Sequence, residues 1–224
     1  MPRITDERRA ARREQILDAA RACLQEDGLE AVSMETIIAR SGLSTGAVYG
    51  HFKGKDEIIN AAVTEGTAAM GRQLAPILAN PDPPPLPEFT GQLLRAIADF
   101  GHDKHDGIDR LSAALHGWSH SQSDPALKAA TRAAYRRQRE LLAGTVQRWQ
   151  AAGTFDPAAD PDGVAQLLQS IVLGFAAQRA LAGDTDAQAH ASALQALSPE
   201  SAPRNSFIAA AHKEPGLLDM PGDL

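Results

Sequence analysis

Apolar residues recur along this chain at intervals of three and four, the period of a helix face. No stretch alternates apolar and polar positions with the β-branched or aromatic enrichment of a strand. A first helix is expected over residues 6–26, with Ile16, Ala20, Cys23 and Leu24 on one side and Asp27-Gly28 as its stop. Ser33 is placed to cap a short second helix over 34–40, whose buried face would be Met34, Ile37 and Ile38. Ser41-Gly42-Leu43-Ser44 then breaks the pattern: Gly42 accepts a left-handed backbone, and Ser44 caps the next helix. That third short helix, over 45–51, turns Val48 inward. After Gly54 a long helix starts at Lys55, its apolar side marked by Ile58, Ile59, Ala62, Val63, Met70, Leu74, Ile77 and Leu78.

Residues 80–87 hold five of the chain's 14 prolines and read as a stiff connector. Beyond it lie a helix with Phe89, Leu93, Ile97 and Phe100 ending at Gly101, and another with Ile108, Leu111, Leu115 and Trp118 in one stripe. Asp124-Pro125 and Asp160-Pro161 are paired start signals, an aspartate cap followed by a proline in the first turn. The helix opened at 160 is apolar over much of its circumference, so it is either wholly buried or has a second partner surface. Thr185-Asp186-Ala187-Gln188 has the form of a capping box before Ala191, Leu194 and Leu197. Pro199 and Pro203 end that helix; a short turn around 207–211 and a loose tail come after it. The fold class is all-α, with no internal repeat.

Composition narrows the class. At 224 residues the chain is long enough to bury a core without disulfides, and its single cysteine, Cys23, suits a reducing cytoplasm. No apolar run approaches a membrane span, and the charged N-terminus lacks a signal-peptide stretch. The net charge of −6 argues mildly against nucleic acid until it is divided: residues 1–55 carry +1 and the remainder −7. The basic groups cluster at Arg3, Arg8, Arg9, Arg12 and Arg13, and at Lys53 and Lys55.

Two short helices joined by a tight glycine-containing turn form a helix-turn-helix candidate, with the small residues Ser44, Thr45 and Gly46 at the start of the second. Residues 33–59, SMETIIARSGLSTGAVYGHFKGKDEII, resemble the DNA-binding domain of the TetR (tetracycline-repressor-like) family. The matching positions are Ser33, Ile38-Ala39, Gly42, Ser44-Thr45-Gly46, Tyr49, His51-Phe52 and Lys55, and the similarity extends over about 12–62. The resemblance implies a three-helix DNA-binding domain over 1–55, an effector-binding and dimerisation domain over 56–212, and a tail over 213–224. It further implies a repressor released from a palindromic operator by a small effector, with Thr45 and Gly46 at bases or backbone. Ser44 starts the reading helix; Tyr49, Lys55 and His51 would meet phosphates; Ser33 would cap the second helix beside the DNA backbone. Gly50 stands where a larger residue is frequent. The N-terminal arginines either add an arm to the DNA or are unstructured.

Phe89, Phe100, Leu115, Trp118, Tyr135 and Trp149 are candidates to line an apolar pocket beneath the fourth helix, though such stripes also build plain core. His116, His120 and Gln122 are the polar groups placed to orient a small apolar or amphipathic effector there. Leu168, Ile171, Val172, Phe175 and Leu194 are expected at a homodimer interface, an intersubunit bundle of the last two helices. No catalytic residues, metal or cofactor are expected, and the chain is read as a cytoplasmic regulator rather than an enzyme. A second reading is a metal-dependent hydrolase or metal-binding protein built on the i, i+4 pair His116 and His120, with His102, Asp103 and His105 nearby. Gly117 stands after the first histidine where a zinc protease has glutamate.

Overall fold

A computed structural model of the protein describes residues 5–101 and 110–197, and among these it shows nine α-helices and no strand. Thr5 caps α1 (Asp6–Ala31), which is broken at Gly28, where φ is 73°, so the stop expected at Asp27-Gly28 is a kink within the helical run. The short pair α2 (Met34–Ser41) and α3 (Thr45–Tyr49) comes next, then α4 (Lys55–Leu78). The remaining elements are α5 (Leu86–Gly101), α6 (Arg110–Ser121), α7 (Pro125–Ala151), α8 (Pro161–Ala182) and α9 (Ala187–Ala196). Asp124 and Asp160 cap α7 and α8 through their carboxylates, with proline in each first turn. At α9 the cap is Asp186, which accepts from the Gln188 N–H, and not Thr185. The one-residue offset reflects two adjacent residues that can both cap, of which the charged acceptor is used. The turn expected around 207–211 and the tail lie outside the described residues.

Two apolar cores result. Ile16, Leu17, Cys23 and Leu24 of α1 close over Ile37, Val48, Phe52, Ile58 and Ile59. Leu74 and Leu78 of α4 join Phe89, Leu93, Ile97, Trp149, Leu168, Val172 and Phe175 in the second core. Each such side chain removed from water contributes about 1.5–3 kcal/mol. α4 is thus shared, its first half in one core and its second half in the other. α6 packs against both α1 and α4, and at Gly117 it approaches so closely that an added Cβ would lie 2.8 Å from Val63 Cγ2.

The proline connector is pinned. Trp149 Nε1 donates to the carbonyls of Pro84 (2.9 Å) and Pro83 (3.2 Å), while the Trp149 ring meets Phe89 edge-on and stacks on Phe155. Arg148 Nη2 donates to the Leu78 carbonyl at 2.7 Å, satisfying an acceptor at the end of α4. Among the described residues α8 alone is long and apolar enough by length and composition to cross a membrane, although Gln166, Gln169, Ser170, Gln178 and Arg179 interrupt its apolar residues. Its Ala165, Leu168, Val172, Phe175 and Ala176 nevertheless belong to the second core.

Candidate nucleic-acid interface and adjoining cavity

The turn between α2 and α3 is stapled by hydrogen bonds. Ser33 Oγ accepts from the Thr36 N–H at 3.1 Å and Thr36 Oγ1 accepts from the Ser33 N–H at 2.9 Å, a capping box closed by threonine. Gly42 has φ 65°, a left-handed conformation that a side chain would strain. Buried Ser41 donates its hydroxyl to the Ile38 carbonyl at 2.9 Å and accepts from the Leu43 N–H at 3.2 Å. Gln15 of α1 donates to the Ser41 carbonyl at 2.7 Å, tying the turn to the first helix. Ser44 then caps α3, accepting from the Ala47 N–H at 3.3 Å. Val48 is fully buried, so α3 is anchored on one side, and Thr45, Gly46 and Tyr49 are exposed on the rest, beside exposed Ser44. Tyr49 is 51% exposed, which excludes it from the core. Ser33, His51 and Lys55 are half-buried, the last opening α4. Glu57, in the first turn of α4, accepts from the Lys53 N–H at 2.6 Å.

The basic residues of α1 are helical from the start of the described chain rather than a loose arm. Burial lowers the His51 pKa, and the charges of Arg9, Arg13 and Arg12 lower it further, which places those arginines beside the end of α3. Arg13 is ion-paired with Glu65 of α4, and its guanidinium lies 5.2 Å over the Phe52 ring. Arg40 of α2 pairs with Glu26 of α1 through two guanidinium nitrogens. The i, i+4 spacing of Arg9 and Arg13 was the available signal for this basic rim.

A cavity of about 970 Å³ lies between α1, α4, α5, α6, α7 and α8. Phe100, Trp118 and Tyr135 are on its wall, with Leu74, Ile97 and Val172. Burial pushes the Tyr135 hydroxyl up to about 12 despite an opposing contact with Trp118, so it stays a neutral phenol. Phe89 and Trp149 are not on the wall: they are packed together in the second core, because an aromatic stripe at helical spacing serves whichever neighbour is nearest. Leu115, His116 and His120 are also absent from the lining, as is Gln122. His120 Nε2 instead lies 3.1 Å from Asn60 Oδ1, and Asn60 Nδ2 donates to Asp124 Oδ2 at 2.7 Å. These bonds link the first half of α4 to the junction of α6 and α7. Residues the sequence did not single out complete the wall: Glu14 and Arg21 of α1, Glu65 and Arg72 of α4, and Arg137 of α7.

Residues 16–62 match the bacterial regulatory proteins of the tetR family, and residues 90–198 match the C-terminal domain of BetI-type transcriptional repressors. The chain belongs to the TetR family. It is 39% identical over 70 residues to the HTH-type transcriptional repressor Rv1474c of Mycobacterium tuberculosis, an alignment covering 31% of this chain and 37% of that relative. The chain therefore matches well under half the length of that curated relative. Among solved structures it is similar to Salmonella enterica GusR, at TM-score 0.66 and 22% identity over 88% of this chain and 96% of that one. It is also similar to a SmeT–triclosan complex, SmeT being the repressor of a Stenotrophomonas maltophilia multidrug efflux pump, at TM-score 0.65 and 25% identity over 84% and 90%.

In this TetR-family chain the faces of α8 differ from the expected assignment. Leu168, Val172 and Phe175 are buried against their own chain, so they are not free to meet a second copy. Ile171 and Leu194 are half-buried. The outward stripe of α8 is Leu167, Ser170, Gly174, Gln178 and Leu181, with Leu167 63% and Leu181 78% exposed, while Ile171 packs on the second core. The helix is apolar on both sides, and periodicity alone does not say which side folds inward. The hydrolase reading finds no support: His120 is engaged with Asn60, and among the described residues no three His, Cys, Asp or Glu side chains gather at a metal-binding spacing. His102, Asp103 and His105 lie outside the described residues.

Proposed function

We propose that this chain is a homodimeric transcriptional repressor in the cytoplasm that binds a palindromic operator and leaves it when a small amphipathic molecule fills the cavity. The reading makes it a regulator and not an enzyme. The observation that carries it is α3, anchored by buried Val48 while Thr45, Gly46 and Tyr49 stand exposed shortly before Lys55. A short helix held on one side and polar on the other is what the major groove accepts. In this reading Thr45 and Gly46 read bases, Ser44 sets the start of the helix, and Tyr49, His51 and Lys55 contact phosphates. Ser33 stays a helix cap next to the backbone. Two copies joined along the outward stripe of α8 with α9 would space the reading helices one DNA turn apart.

α4 supplies the coupling. Lys55 opens it, Asn60 bonds to Asp124, and residues from Ala62 to Leu78 line the cavity. A ligand that binds better to the arrangement unable to grip DNA would shift α4, and with it α3, out of register. The test is a gel mobility assay with DNA from the region around the protein's own gene. A retarded fragment that is competed by itself and not by random DNA supports the proposal; no retardation of any fragment at low salt sinks it.

A further inference from the structure

We propose that the cavity's ligand is an amphipathic anion, its apolar part against Met70, Phe100, Trp118 and Leu141 and its charged head held by Arg72 and Arg137. The inference rests on the reading of this cavity as the effector site and names the ligand's class. The wall carries four arginines, Arg21, Arg72, Arg110 and Arg137, and two glutamates, Glu14 and Glu65. Both glutamates are already engaged. Glu14 accepts from Arg21 at 2.6 Å, and Glu65 is paired with Arg13. A cationic ligand would have to break one of these pairs to find a counter-charge.

Arg72 and Arg137 differ from Arg21. Among the described residues neither has a carboxylate partner, and they stand on two helices that pack together, α4 and α7. A guanidinium offers a planar fork of donors that fits a carboxylate or phosphate oxygen pair. Arg72 is on the helix that begins at Lys55, so a head group drawn to it acts on the same element that grips DNA in the proposed reading. The apolar side of the wall explains the other half of the ligand: Met70, Phe100 and Trp118 are only half-buried and Leu141 is 42% exposed, so a hydrocarbon lying against them takes apolar surface out of water.

The experiment is calorimetric titration of the full chain with four probes of equal chain length below their micelle concentrations: decanoate, decyl phosphate, decanol and decyltrimethylammonium. Each is then added to the protein–DNA complex in the mobility assay. Both anions are expected to bind at least tenfold more tightly than decanol, and the cation more weakly than decanol. Their ratio to each other distinguishes a carboxylate from a phosphate head. Arg72→Gln and Arg137→Gln are each expected to lose on the order of tenfold for the anions and to bind decanol as before. Helical content and melting of the unliganded variants check that they fold. Decanol or the cation matching the anions, or an anion preference intact in both variants, overturns the assignment. If an uncharged or cationic probe releases DNA and the anions do not, the effector reading stands and the anionic class falls. If none of the four binds, both fall.

Discussion

Thr45 and Lys55 carry different kinds of contact in the proposed interface, and mutation separates them. Lys55→Ala should weaken binding to every sequence and lower the salt slope by about one per protomer, because one phosphate loses its cation. Thr45→Ala should instead change which operators are preferred and leave the slope alone; a salt titration on matched and scrambled sites reads both. Tyr49→Phe should weaken binding without changing the slope, since its phenol carries no charge. His51 gives the pH dependence. Burial and the arginines Arg9, Arg13 and Arg12 hold its pKa below the ordinary 6.5 in the free protein. A phosphate beside it favours the charged form and raises that pKa in the complex, so DNA binding takes up a proton and affinity rises as pH falls from the His51 pKa of the complex to the lower one of the free protein. In His51→Gln this rise should vanish; an unchanged pH profile would remove His51 from the interface. Thr45, Tyr49 and Lys55 could be singled out in the sequence because the family pattern orders them, and the fold leaves Thr45 and Tyr49 exposed on α3 with Lys55 half-buried at the start of α4. The partners of Arg13 were not, since Glu65 lies 52 residues away along the chain.

At the scale of elements, the contact between α4 and α6 leaves little room. A methyl group at Gly117 would lie 2.8 Å from Val63 Cγ2 and 3.0 Å from Cγ1, so Gly117→Ala must move one helix relative to the other. The expected cost is about 1–3 kcal/mol, seen as a lower melting temperature. Adding Val63→Ala should recover most of it, and an additive double variant would show that the two positions do not meet. The displaced α4 should also weaken DNA binding, because Lys55 travels with it. Helix boundaries were readable to within a few residues wherever an aspartate or serine cap announced them, as at Ser33, Asp124 and Asp160. They were misread at Thr185, where two neighbouring side chains compete for one cap. The Gly117 contact had no signature, because glycine inside a helix pattern says that space is short without saying what fills it.

For the whole molecule, the proposed dimer turns on which side of α8 looks outward. Leu167→Glu with Leu181→Glu should give a monomer by size-exclusion chromatography with light scattering, with little change in monomer stability, as both side chains are largely exposed. DNA affinity should fall with dimerisation. Leu168→Ala should behave in the opposite way, costing about 2–5 kcal/mol of folding stability from the emptied core. If the Leu167/Leu181 variant remains dimeric, the interface lies elsewhere. The charge division has the same scale: a nearly neutral reading end on an acidic body suits binding through a few placed contacts doubled by symmetry.

The sequence by itself determined the all-helical class, the order and approximate limits of the helices, and the family to which the chain belongs. These come from local causes: apolar period, caps, prolines, and a reading helix whose small and polar residues must occur in a set order. Only the tertiary structure decided which face of α8 is core, which aromatics face the cavity, and which arginines on its wall have no carboxylate of their own. Those depend on what distant helices bring to the same place, and a helix apolar on two sides, or an arginine on an exposed turn, looks the same in the sequence whichever neighbour it meets.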